Sequence, residues 1–247
     1  MKILVCISSV PDTTSKISFK DSSTFNADGI QFIINPNDEF GLTKALHIKE
    51  AGSASITVIN VGLADTEPVI RKALAIGADD AVRIDAKPMD AFFVATQIAA
   101  LAKQNNYDII FAGKESIDYN GGMVPSMIAE ILGIPSFTPC VGMELQGNVV
   151  TVESLVDGGK EVQTSKLPVV VGSQKGLVEE KDLRIPNMRG IMSARTKPLQ
   201  VIQPVGNTQR EQYKNFELPP AKAGCKMVSK DDVKELINLL HQEAKVI

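Results

Sequence analysis

Between residues 118 and 127 the chain reads Asp-Tyr-Asn-Gly-Gly-Met-Val-Pro-Ser-Met. Asp118, Asn120, Gly121 and Gly122 form a polar turn. Met123, Val124, Ser126 and Met127 then open a segment with apolar residues at 123, 124, 127, 128, 131 and 132. That spacing predicts an amphipathic helix from Met123 to Leu132. The apolar run from Asp108 to Ala112, just upstream, predicts a strand. A strand that passes through paired glycines into a helix suits anion binding. Glycines let the backbone approach closely, and the first N–H groups of the helix, with its dipole, attract a phosphate. The same turn recurs generally in doubly wound sheets, so on its own it leaves phosphate binding and plain turn formation both open.

The elements that must position this turn alternate. Ile3–Ile7 predicts a first strand. Asn35-Pro36-Asn37-Asp38 is a turn, with Asn37 or Asp38 as cap of a helix to about Glu50. Ser55–Val61 is the next strand, and Thr66 caps a helix that turns Ile70, Ala73 and Leu74 inward. Ala81–Ile84 is a short strand. Met89 to Gln104 is a helix with Val94, Ile98, Leu101 and Ala102 on one face. Strands alternating with helices predict an α/β fold, a Rossmann-like parallel sheet with helices on both faces. Ligands of such sheets sit beyond the carboxyl ends of the strands.

The second half differs. Val149–Val156 and Glu161–Ser165 flank Asp157-Gly158-Gly159, a hairpin turn, so a β-hairpin insertion is expected. Leu167–Val171 is a further strand. Residues 176 to 198 have no clear period and become locally basic toward Arg189, Arg195 and Lys197. Residues 203 to 226 are extended and lack a core pattern. Asp231 to about Ala244 is a final helix, with Val233, Leu236, Ile237 and Leu240 on one face. The expected organisation is a nucleotide-binding α/β domain over 1–200 and a C-terminal arm over 201–247 that ends in this helix.

Composition narrows the function classes. Apolar residues make up 44% of the 247, enough for a sizeable core, and the formal net charge is −3. Nucleic-acid binding would favour a basic face and stacking aromatics; there is neither a basic excess nor any tryptophan. No apolar run approaches the roughly 20 residues of a membrane span. Cys6, Cys140 and Cys225 are widely spaced and odd in number, which points to a reducing, cytoplasmic setting and away from a disulfide framework or a metal site. His47 and His241 are isolated and read as solvated helix residues. No Ser–His–Asp order or activated-cysteine signature is present.

Several short pieces in a fixed order carry a resemblance. They are Val10-Pro11-Asp12, Asn35-Pro36-x-Asp38-Glu39, Ile76-Gly77-Ala78-Asp79 and Gly113-Lys114-Glu115-Ser116-Ile117-Asp118. Then follow Ile128-Ala129-Glu130-x-Leu132-Gly133-Ile134-Pro135, Asp157-Gly158-Gly159, Lys166-Leu167-Pro168-Val169-Val170 and Arg189-Gly190-Ile191-Met192-x-Ala194-Arg195. In these pieces the chain resembles the beta subunit of electron transfer flavoproteins along nearly its whole length. The resemblance implies an adenine nucleotide alpha hydrolase-like fold and an alpha subunit as partner. That alpha subunit holds a redox-active FAD shared between the chains. A pocket in the beta subunit holds a structural AMP in one branch of the family and a second, electron-bifurcating FAD in the other. Electrons arrive from flavoenzymes of the acyl-CoA dehydrogenase type and leave to a quinone reductase or ferredoxin.

Carried over residue by residue, Cys6 lies beside the adenine, and Asn35, Pro36, Asn37 and Asp38 form the nucleotide-contacting turn. Val61 is a further contact, and Asp118 to Met127 hold the phosphates. From the residues alone, Cys6 and Val61 read as plain core packing. Where the family's phosphate loop has Thr or Asn and then Gln-x-Gly, this chain has Gly121, Gly122, Met123, Val124 and Pro125; Ser8 replaces a family lysine. The segment 185–197 resembles the family's partner-recognition loop, with Met188 as apolar anchor and Arg189, Ile191, Met192, Arg195 and Lys197 around it. The spelling Arg189-Gly190-Ile191-Met192 is closer to the bifurcating branch. A stand-alone adenine-nucleotide module of the universal-stress type is the alternative. It does not predict the hairpin, the recognition loop or the arm.

Overall fold

The computed structural model describes residues 1–52, 54–206, 208–222 and 224–247. Two of the undescribed positions, 207 and 223, fall within the expected arm. In chain order the elements begin with β1 (Lys2–Cys6), β2 (Ser9–Pro11), β3 (Phe19–Asp21), β4 (Thr24–Phe25) and β5 (Phe32–Ile34). Next come α1 (Pro36–Ala51), β6 (Ser55–Val61), α2 (Glu67–Ile76), β7 (Asp80–Ile84), α3 (Ala91–Asn105), β8 (Ile109–Gly113) and α4 (Val124–Leu132). The second half holds β9 (Ser136–Gln146), β10 (Val149–Val156), β11 (Gly159–Lys166), β12 (Val169–Ser173), α5 (Met188–Ala194), β13 (Leu199–Ile202) and α6 (Val233–Asn238). After α6 come π-helical turns over Leu239–Ala244.

The main sheet has the order β11-β10-β9-β12-β8-β1-β6-β7-β13. From β9 to β13 every neighbouring pair is parallel; β10 and β11 close one edge antiparallel. The central strands are apolar on both faces because helices cover both. Ile3 and Val5 of β1 join one core with Leu42, Ala45 and Leu46 of α1 and Val69, Ile70, Ala73 and Leu74 of α2. Leu4 and Cys6 join the other, with Phe93, Ala95, Ile98 and Ala102 of α3 and Ile128 and Ala129 of α4. This double burial is what parallel strands require.

Differences from the sequence expectations have local causes. Thr66 stands at the start of α2, but its hydroxyl bonds Asn60 Oδ1 at 2.7 Å and the Leu63 carbonyl at 2.8 Å rather than capping the helix. Asn60 is in turn tied to the Ile7 carbonyl at 2.8 Å, so Thr66 serves a bridge between strand ends. Neither Asn37 nor Asp38 caps α1: the helix begins earlier, at Pro36, which frees both side chains for other contacts. Met123 lies just before α4 rather than in it. The expected hairpin is present and extends the main sheet, its turn made at Asp157 and Gly158, whose φ is +87°. β9 shows no legible period because Pro139 and Gly142 break its alternation, where its pairing register also shifts. The sheet runs on to Ile202 through β13, past the expected boundary at residue 200.

Among the described residues no helix is long and apolar enough to cross a membrane.

Candidate functional site

The chain leaves β1 toward β6 and β7 on one side, then returns to build β8 and β12 on the other. The order therefore reverses between β1 and β8, and the crevice at the carboxyl ends of these two strands is where such sheets place ligands. Asp38 spans this reversal. It is buried, and its carboxylate accepts 2.7 Å hydrogen bonds from the backbone N–H of Ser8, after β1, and of Gly113, at the end of β8. Burial pushes its pKa up to about 7, against the opposing pull of the bonds from Ser8, Asn35 and Gly113. Gly113 is required here: a Cβ would stand 2.5 Å from Asp38 Oδ1 and 2.7 Å from Asn35 Nδ2.

Asn35 and Asn37 carry the crevice across to the glycine loop. Both donate from Nδ2 to the Glu115 carbonyl, at 2.9 and 3.1 Å, and the Ile117 N–H points to Asn35 Oδ1 at 3.4 Å. Ser173, at the end of β12, is fully buried, with Oγ 2.8 Å from the Asn37 carbonyl and 3.1 Å from the Ala112 carbonyl. Asn35, Pro36, Asn37 and Asp38 are thus brought against the loop that follows β8. Ser173 was not singled out from sequence, and Gly113 and Glu115 entered only within a family-like piece. The physical signal for Ser173 and Gly113 is that a small residue ends each of two neighbouring apolar strands; Glu115 contributes its carbonyl.

The loop closes on itself. The Ser116 N–H donates to the Gly121 carbonyl at 3.1 Å, and Asp118 accepts from the Ser116 hydroxyl and, at 3.0 Å, from the Tyr119 N–H. Asn120 takes a left-handed φ of +50°, which asparagine tolerates. Gly122 passes close to the Lys114 carbonyl, where a Cβ would lie at 3.2 Å. α4 starts next without a side-chain cap, so its first N–H groups face outward with no intrahelical acceptor. Pro125, near its start, has no N–H to lose. Asp118, Asn120, Gly122, Met123 and Ser126 are exposed; Gly121, Val124 and Met127 are half-buried.

Cys6 and Val61 share the α3/α4-side core with Ala112. Burial, with the nearby Asp38 charge, pushes the Cys6 thiol far up, so it stays protonated and acts as a small apolar wall. Beside Val61, the buried Arg83 donates to the Gly62 carbonyl at 2.9 Å and to Asp85 at 2.6 Å. A groove of about 540 Å³ lies elsewhere, between α1 and β9, and is lined by Lys44, His47 and Met143 among others. It reaches Met1 and Ala54, which precede β1 and β6, and so lies away from the carboxyl ends of those strands.

The expected recognition segment is a second, separate place. It is not simply a loop: Met188 to Ala194 form α5, with Asn187 Oδ1 accepting from the Gly190 N–H at 2.8 Å as cap. α5 lies on α2. Gly190 abuts the Ala75 carbonyl, where a Cβ would stand 2.3 Å away, and Arg71 donates to the Ala194 and Lys197 carbonyls at 2.8 and 2.9 Å. The platform leaves Ile185 86%, Met188 75% and Met192 67% exposed, with Ile191, Arg189 and Arg195 also outward. Lys197 does not share this outward placement. Its ammonium is turned inward to the Leu74 and Ala78 carbonyls, at 2.8 and 2.5 Å, and burial lowers its pKa. Because α2 runs back from the carboxyl ends, α5 sits at the opposite end of the sheet from the crevice.

A doubly wound sheet with a polar crevice at its switch point and an apolar platform at its other end defines the class of protein. Comparison with known proteins places it within that class. The family described as Electron transfer flavoprotein domain matches residues 23–205. The chain is 37% identical over 236 residues to electron transfer flavoprotein subunit beta of Syntrophomonas wolfei, covering 94% of this chain and 92% of that one. It is 33% identical over 261 residues to the subunit of the same name in Bacillus subtilis, covering all of both. It is 31% identical over 210 residues to acryloyl-CoA reductase electron transfer subunit gamma of Anaerotignum propionicum, covering 82% of this chain and 77% of that one. The chain belongs to the electron transfer flavoprotein family and is similar to its beta subunits. A stand-alone module of the universal-stress type is not favoured by these matches.

Proposed function

We propose that this chain is the beta subunit of a heterodimeric electron transfer flavoprotein, and that its crevice at the β1/β8 switch point holds the adenylate part of a nucleotide. The observation that carries the reading is the junction made by Asp38, Asn35 and Asn37. These side chains lock the end of β1, the end of β8 and the Glu115–Gly122 loop into one polar crevice ahead of an uncapped helix start.

The residues present suit an adenylate. Cys6 and Val61 offer an apolar wall for a base. The backbone N–H groups around Gly121 to Val124, with the α4 dipole, supply phosphate donors in place of the family's side chains. AMP and the adenylate half of a second FAD share this chemistry, so either fits the crevice. The flavin, which the alpha subunit holds or shares, supplies the electron-carrying chemistry when bound. The chain's own part is to bind, to orient and to present α5. The exposed side chains of Ile185, Met188 and Met192 on a rigid base suit docking of an acyl-CoA dehydrogenase-type flavoenzyme, with Arg189 and Arg195 at the rim. The arm beyond residue 202 leaves Val233, Leu236 and Ile237 exposed on one helix, and burial against the alpha subunit would cover them. The three thiols are all unpaired, which suits a reducing, cytoplasmic setting.

The test is to co-purify the chain with its alpha subunit and follow flavin absorbance while an acyl-CoA dehydrogenase and its substrate are added. Bleaching of the heterodimer's flavin that depends on the dehydrogenase is expected. A chain that stays monomeric and binds ATP tightly without any alpha subunit would contradict the reading.

A further inference from the structure

Five of the chain's twelve aromatic rings form one ladder. Tyr119, at the tip of the loop, stacks on Tyr213 at 4.7 Å between centroids and 15° between planes. Tyr213 meets Phe216 at 5.8 Å. Phe216 stacks on Phe19 of β3 at 5.1 Å and 6°, and Phe19 meets Phe25 of β4 edge-on at 6.5 Å. The ladder therefore joins the candidate nucleotide loop to the β3–β4 hairpin through a segment about 94 residues further along the chain.

That segment is fastened on both sides of Tyr213. Val205 exchanges two hydrogen bonds with Gln97 of α3, at 2.7 and 3.0 Å. Asp90 Oδ2 accepts from the Arg210 and Glu211 N–H groups at 2.5 and 2.8 Å, while its Oδ1 caps α3 through the Phe93 N–H. The Arg210 guanidinium lies 3.7 Å above the Phe92 ring. The Phe216 N–H donates to the Ser22 carbonyl at 2.6 Å. Residues 118–120, by contrast, bond only within their own loop. Among the described residues, the Tyr213 ring is their one hydrogen-bonding or ring partner from outside it.

We infer that residues 208–216 are a strap over the crevice and that Tyr213 is a positioning residue, holding the Glu115–Gly122 loop closed over the bound nucleotide through Tyr119. This rests on the nucleotide reading given above. An aromatic stack anchored on one side restrains the loop tip without touching the ligand, so its loss acts on the rate of escape more than on docking. The ring is what matters, and the Tyr213 hydroxyl makes no hydrogen bond among the described residues, so phenylalanine is the conservative replacement.

The experiment uses the full heterodimer, loaded with its co-purified nucleotide and chased with excess radiolabelled AMP in one arm and FAD in the other. Tyr213→Ala and Tyr119→Ala each speed exchange about three- to tenfold, and the double variant is no faster than either single one. Tyr213→Phe exchanges as the parent does. Heterodimer formation stays unchanged across the set. Parent-like exchange in Tyr213→Ala overturns the strap, as does full additivity in the double variant. A parent heterodimer that holds no nucleotide overturns the nucleotide reading itself, a result the exchange rates cannot mimic.

Discussion

Asp38 concentrates the residue-scale chemistry. Both its oxygens are engaged by backbone N–H groups, yet burial lifts its pKa to about 7. An unfolded aspartate titrates near ~3.9. The folded state therefore holds this proton more tightly. The group's contribution to stability is full below about pH 4 and is lost as pH rises through about 7. Asn at this position does not titrate and turns an amide donor toward a backbone donor, a cost on the order of 1–3 kcal/mol. Asp38→Asn should lower the thermal midpoint, with the gap to the parent wider at about pH 5 than at about pH 8. Melting curves at the two pH values check this, and a gap that widens toward high pH contradicts it. The sequence made Asn35-Pro36-Asn37-Asp38 legible as a turn before a helix. It hid what Asp38 does, because its partners lie 30 and 75 residues away and are backbone groups that any residue type supplies.

At the scale of elements, periodicity was a good guide where a segment was long and packed on one partner. β6 and β10 have the boundaries their patterns suggest, and α2 turns Ile70, Ala73 and Leu74 inward as the spacing requires. It failed for α5, β13 and β9. α5 has seven residues, too few for a helical period, and buries chiefly Ala194; β13 has four residues at a sheet edge. The structure turns an expected loop into a short helix whose backbone is pinned by Arg71, Asn187 and Gly190. That pinning holds the exposed Met188 side chain on a firm base. Met188→Ala should shift stability by no more than about 0.5 kcal/mol, since the side chain is exposed. It should lower the efficiency of dehydrogenase-driven flavin reduction by about tenfold, the size of an anchor loss, with flavin content unchanged. Steady-state kinetics alongside flavin spectra check both parts. Lost flavin with unchanged docking would assign Met188 to the cofactor instead.

For the whole molecule, the alternation of strands and helices was enough to read a parallel sheet with two covered faces. The site at its switch point follows from strand order, which sequence pattern does not disclose. The far end of the molecule was harder to read. Residues 203 to 226 have no period, so they read as an extended arm reaching a partner or the far side of the body. Yet Val205, Arg210, Tyr213 and Phe216 fasten part of that stretch to the body by backbone hydrogen bonds and ring stacking, neither of which leaves a repeat. The result is a molecule with a strapped crevice at one end of the sheet, an apolar platform at the other, and an uncovered helix face for a partner. On the reading proposed above, the crevice holds an adenylate within a flavin-bearing heterodimer. The most direct measurement is the nucleotide content of the purified alpha–beta complex after denaturation, with flavin read by visible absorbance and AMP by chromatography. One adenylate per beta chain, as AMP or as a flavin beyond the one in the alpha subunit, is the predicted result. A complex that releases a single flavin and no AMP would contradict it.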